Sequence, residues 1–175
     1  YYHLVLLAEN NQGYSNLMKI VSKGFTEGFY YKPRVDLAVL KEYHEGIIAL
    51  SACLAGEVAR YLQRGMYEDA KAAALRYQDI FGKGNFFLPH VVNQELLRMH
   101  EETGIDLVAT NDVHYTTADD ADPHDILLCL QTNKKLADQD RMRYEGGQYY
   151  VKSPEEMAQL FPYALEALEN THKIA

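Results

Sequence analysis

The fold is constrained most by four short apolar segments, each of strand length and three of them followed at once by a helical pattern. Leu4 to Ala8, Ile47 to Ser51, Asn85 to Leu88 and Leu107 to Thr110 are apolar runs rather than polar-apolar alternations. That pattern marks strands covered on both faces. After the first come Gly13 and then Tyr14, Leu17, Met18, Ile20 and Val21 at helical spacing. The second is followed by Glu57 to Tyr61 and the Ala-rich Tyr67 to Phe81, and the third by Val91 to Thr103, stopped at Gly104. Ala118 to Leu130 and Glu166 to Ala175 also read as helices. Ser153-Pro154-Glu155-Glu156 is a helix start, with Ser as cap, Pro at the first position and Glu at the capping-box position. Strand-helix alternation predicts an α/β fold, parallel strands in an open sheet or a barrel with helices over both faces. Ligands in such folds gather at the carboxyl ends of strands, here just after Ala8, Ser51, Leu88 and Thr110.

The 175 residues show no internal repeat, linker or low-complexity tract, so one domain is expected. With 47% hydrophobic and 24% charged residues the chain lies far from disordered compositions. Its apolar runs fall far short of the roughly 20 residues a membrane helix needs, so a soluble chain with no membrane partner is expected. Seventeen Lys plus Arg against 25 Asp plus Glu give a net charge of −8, which argues against a main role in gripping DNA or RNA. Two cysteines, Cys53 and Cys129, form no disulfide framework and suit a reducing cytoplasm. The opening Tyr1-Tyr2-His3 has neither an initiator Met nor a basic leader, and the final helix has no stop signal. The chain is therefore expected to be a piece of a longer protein.

The sharpest chemical feature is Thr110-Asn111-Asp112-Val113-His114-Tyr115 at the end of the fourth strand. In extended backbone Asp112 and His114 point the same way, and a carboxylate with a neutral imidazole suits zinc, manganese or iron. The competing reading is a loop-starting Asp and a hydrogen-bonded His. Cys53 holds the equivalent place after the second strand, as a metal ligand, a nucleophile or a small buried apolar residue. His3 flanks the first strand, either as a ligand or as a structural residue. His124 reads as surface, as a supporting neighbour of the site or as an Asp partner. Gly28-Phe29-Tyr30-Tyr31-Lys32-Pro33-Arg34 mixes rings with cations, a combination that stacks bases and holds phosphate or simply anchors a loop. Lys134, Lys135, Arg141 and Arg143 form a second basic stretch, for nucleic acid or a neighbouring domain. The chain has no Gly-rich phosphate loop, Gly-x-Ser-x-Gly elbow or Cys-x-x-Cys pair. Metal-assisted hydrolysis is the chemistry that stands.

His3 to Ala8, Glu27 to Arg34, Leu50-Ser51-Ala52-Cys53, Ala109 to Tyr115 and Tyr149 to Met157 together resemble the PHP (polymerase and histidinol phosphatase) domain family. The form they resemble is the one at the N-terminal end of bacterial replicative DNA polymerase alpha subunits. The resemblance runs along nearly the whole chain. It implies a portion of a distorted seven-stranded (β/α) barrel with a metal cluster at its carboxyl end. Matched position by position, the family's metal ligands fall on His3, Cys53, Asp112 and His114. The resemblance implies divalent ions there (zinc, manganese or iron), with the magnesium of the polymerase site outside this chain. It also implies phosphodiester hydrolysis with 3′-5′ proofreading, or a silent platform that stabilises the polymerase and binds a separate exonuclease subunit. DNA, held mainly by the rest of the polymerase, and replicase subunits such as that exonuclease and a sliding clamp are the implied partners. A free-standing phosphatase of the histidinol-phosphate type fits less well, because Phe29 to Arg34 and Ser153 to Met157 match the polymerase branch. Two departures stand out. The family's opening His-x-His strand would lie before Tyr1, and Leu88 runs directly into Pro89 where the family has a loop, so the third strand is expected to lose its active-site end. That loop is either deleted or closed up in the numbering.

Overall fold

The computed structural model describes residues 1–52, 54–90 and 94–175. Cys53, and the start of the helix expected from Val91, lie outside the described residues. The chain divides into two units, one of residues 1–109 and 166–175 and one of residues 110–165.

In the first unit four strands, β1 (Val5–Ala8), β2 (Ile47–Leu50), β3 (Phe86–His90) and β4 (Leu107–Ala109), form one mixed sheet in the order β1-β2-β3-β4. The β2-β3 and β3-β4 pairs are parallel, as expected. β1 departs from the expectation, since it runs antiparallel to β2, with Ala8 opposite Ile47 and Val5 opposite Leu50. The reason lies in the connection. Helices α1 (Asn11–Thr26) and α2 (Leu37–Glu42) return the chain to the end of β1, where Glu9 N donates to Gly46 O at 2.9 Å. The next strand can only run back along its neighbour. Among the described residues β1 has only β2 beside it and is largely exposed, whereas β2 and β4 are buried throughout.

β3 does not stop at Leu88. It continues through Pro89 and His90, in register with Val108 and Ala109 of β4. Leu88 N donates towards β4, to Asp106 O at 3.0 Å, so the missing N–H of Pro89 falls on the side where β2 has already ended. A proline is tolerated where no ladder bond is needed.

Local signals explain the helices. Asn10 caps α1 by accepting from Gly13 N, and Asp36 caps α2 by accepting from Val39 N. After β2 come α3 (Glu57–Gln63) and α4 (Tyr67–Phe81), whose buried Ala70, Ala73 and Ala74 let α4 pack closely. α5 (Gln94–Thr103) ends at Gly104, whose φ of +67° suits glycine. The core joins Ile48 and Leu50 of β2, Phe87 of β3 and Val108 of β4, with Ile174 of the last helix packed against them.

The second unit holds a single 3-10 turn at Ala118–Asp120, α6 (Ala121–Thr132) and α7 (Pro154–Leu160). α7 begins with the expected capping box: Ser153 Oγ accepts from Glu156 N at 3.2 Å and Glu156 Oε2 accepts from Ser153 N at 2.7 Å. The chain then enters α8 (Leu165–Ile174), most of which belongs to the first unit.

Candidate metal centre

The antiparallel β1 decides where His3 lies. In an all-parallel sheet a residue before β1 would sit at the amino edge, away from the end of β2. Here His3 N donates to Ala55 O at 3.1 Å and His3 bridges to Gly56. His3 is thus brought to the segment that follows β2, the stretch that also contains Cys53. An open groove of about 980 Å³ runs past His3, Lys32, Arg34, Glu57 and Arg76. In its wall Glu57 accepts from Arg76 Nη2 at 2.7 Å and from Tyr77 OH at 2.8 Å. Burial and this carboxylate push the Tyr77 phenol well above its ordinary range.

Asp112 and His114 lie in the second unit, three and five positions past β4. Their segment is braced by residues 148–152. His114 N donates to Tyr149 O at 2.8 Å, Asn111 Nδ2 to Tyr150 O at 2.7 Å, and Lys152 Nζ to Asn111 Oδ1 at 3.0 Å. The extended backbone expected here is not what the segment adopts. Asp112 has φ of +49°, a left-handed conformation that Asp tolerates better than most residues, so the simple rule that i and i+2 share a side does not apply. His114 Nδ1 instead lies 2.8 Å from Asp112 O. A carbonyl only accepts, so Nδ1 carries a proton, which leaves Nε2 as the ring nitrogen that can ligate. Both side chains are exposed.

Around His114 stand His124, already a candidate from the sequence, and two tyrosines that sequence reasoning did not assign to the site. Tyr144 lies 4.3 Å and Tyr149 5.8 Å from it, centroid to centroid, with His124 also at 5.8 Å. Spaced 30 and 35 positions along the chain from His114, these tyrosines carry no local signal. His124 is half-buried against Tyr115 and Tyr144 rather than free on the surface.

The basic candidates separate. Arg141 turns inward, its side chain only 5% exposed, and grips both oxygens of Asp125. Its guanidinium holds the Asp125 carboxyl below the usual carboxylate range, so Arg141 braces α6 within the unit. Arg143 and Lys32 are exposed. Arg34 lies between the rings of Tyr1 and Tyr30 at 4.9 and 5.0 Å and donates to Tyr30 O at 2.6 Å. Tyr30 is exposed, edge-on to Tyr31. Among the described residues no three His, Cys, Asp or Glu side chains are arranged to hold a metal ion. The structure therefore presents donors in two places: His3 beside the β2 end in the first unit, and Asp112 with His114 in the second.

The sequence profile of the PHP domain matches residues 1–89, just over half of the chain. The chain belongs to the PHP domain family. His3 and Cys53 lie within the matched part of this PHP chain, and Asp112 and His114 lie beyond it. Over 99–100% of its length the PHP chain is 44% identical to the DNA polymerase III subunit alpha of Treponema pallidum, 42% to that of Borreliella burgdorferi and 43% to that of Deinococcus radiodurans. It spans only 14–16% of the length of those relatives.

Proposed function

We propose that this PHP chain serves in bacterial DNA replication as the PHP domain of a replicative polymerase alpha subunit, where it supplies donors to a divalent-metal phosphoesterase site. The observation that supports this reading is identity above 40%, along essentially the whole chain, to proteins named DNA polymerase III subunit alpha. On this reading the four-stranded sheet is a portion of a distorted seven-stranded barrel, and the subunit works in the cytoplasm with DNA, a proofreading exonuclease and a sliding clamp. The aligned stretches, at 183 to 185 positions, exceed the 175 residues of this chain, so the relatives carry positions that this chain lacks.

The donors fit a metal in kind. His114 turns Nδ1 to the Asp112 carbonyl, Asp112 is an exposed carboxylate, and His3 bridges to Gly56. The Asp112 carboxylate and the His114 imidazole, both in the second unit, suit zinc, manganese or iron. An ion held there supplies Lewis-acid polarisation of a phosphodiester and stabilises charge as the bond breaks. The chain's own contribution is orientation: the Asp112 carbonyl fixes the His114 tautomer, and residues 148–152 hold the segment that carries both.

Metal analysis of the full-length gene product tests the assignment. The Asp112→Ala, His114→Ala variant is expected to lose metal affinity by more than about 100-fold, since even neighbours of ligands are worth 10- to 100-fold. Equal metal content in the two proteins removes the site. A second reading is a silent platform that stabilises the polymerase and binds a separate exonuclease. Chelator-sensitive 3′-5′ exonuclease activity in the intact subunit, removed by the same double variant, decides for the metal site. The absence of chelator-sensitive exonuclease activity in the intact subunit decides for the platform.

A further inference from the structure

Helix α1 wears its bulk on the outside. The positions it turns inward are Gly13, Asn16, Ile20 and Gly24, whereas Tyr14, Met18, Val21 and Phe25 are 49–59% exposed. The inner face is built for close approach: Asn16 Nδ2 donates to Glu45 O at 2.9 Å, and a Cβ on Gly24 would already meet Pro33 at 3.4 Å. The outer four residues follow one another at intervals of four, three and four, the seam used when one helix packs along another at a small crossing angle. Phe29, also exposed, stacks on Phe25 at 6.1 Å and lengthens the seam. At 3.6 residues per turn the uncharged Ser15 and Ser22 flank it. A contiguous apolar stripe of this kind marks an interaction surface rather than a solvated one.

We propose that this seam is a docking site for an apolar helix of the same polypeptide, outside residues 1–175. The inference rests on the reading that the chain is one domain of a longer protein. Relatives that match it from end to end devote only 14–16% of their length to the matched stretch, so the greater part of such a polypeptide is available to cover it. A second copy is the weaker occupant, because a net charge of −8 on each chain opposes self-association.

The test uses the full-length gene product. With Phe25 replaced by the photoreactive p-benzoylphenylalanine, irradiation is expected to link position 25 to a peptide of the same polypeptide beyond residues 1–175. Links to a second copy, to a different protein or only to residues within 1–175 overturn the proposal. So does the absence of any link. In the unaltered protein, which needs no variant to fold, hydroxyl-radical oxidation of Met18 is expected to be at least about tenfold slower than in the denatured polypeptide, since oxidation follows exposure. Oxidation at the denatured rate overturns the proposal as well. A protein that links as expected but binds no metal would keep the docking site and lose the phosphoesterase reading, so the two fail separately.

Discussion

At the scale of single residues, Glu102 on α5 gathers donors from two helices. Its carboxylate accepts from Lys71 Nζ and Arg98 Nε at 2.7 Å and from Tyr67 OH at 3.0 Å. These bonds, Lys71 first, hold its pKa at about 2 against an ordinary 4.5, while burial and Glu102 together push the Tyr67 phenol up to about 12. Because the folded value is depressed, the stabilisation is fully present above about pH 4.5 and is lost as the pH falls through about 2. Glu102→Gln is expected to lower the urea midpoint at pH 7 and to converge with the unmodified protein near pH 2. Parallel urea curves across that window check it, and a constant difference at every pH counts against the assignment. The same scale shows how far a motif can be read from sequence. Asp112 and His114 are visible as a donor pair, but the left-handed backbone at Asp112 and the bond from His114 Nδ1 to its carbonyl are not. Those depend on residues 148–152, which reach the segment only through the fold.

Elements bring in close approach. A Cβ at Gly13 would lie 1.8 Å from Gly46 O, and Gly46 itself has φ of +71°. The first turn of α1 therefore touches the turn that launches β2, and this contact returns the chain to the end of β1 and makes β2 run antiparallel to it. In the sequence Gly13 stands ahead of the helical spacing that starts at Tyr14, whereas the structure places it inside the helix as a contact point. Gly13→Ala is expected to destabilise the fold by about 1–3 kcal/mol, the usual cost of overpacking. Chemical denaturation measures it, and an unchanged midpoint would mean that α1 and the 43–46 turn are not in contact. Most strands and helices were readable, because apolar run length, the Ser153 cap and Gly104 are local signals, whereas the short α2, capped by Asp36, was not read from the sequence. The direction of β1 was not, since local patterns carry no information about which end of a neighbour the chain returns to.

Across the whole molecule, α8 returns the end of the chain to the sheet. Asn170, 1% exposed, donates from Nδ2 to Leu107 O at 2.9 Å and accepts from Lys173 Nζ at 2.9 Å, while Ile174 packs on the core. The outer edge of β4 is satisfied this way rather than by another strand. Asn170→Ala leaves the Leu107 carbonyl buried and unpaired, an expected loss of about 1–3 kcal/mol. Thermal unfolding of the variant checks it, and a Tm equal to that of the unmodified protein would show that water replaces the lost donor. By itself the sequence determined the α/β class, the helix start at Ser153, the helix stop at Gly104 and the family, and it picked out His3, Asp112 and His114 as candidates, because these live in short segments of chain. Only the tertiary structure decided that β1 runs backwards and carries His3 to the end of β2, that Arg141 turns inward onto Asp125, and that α1 shows its largest apolar side chains to the outside. Each of those depends on which distant segments meet, and packing alone fixes that.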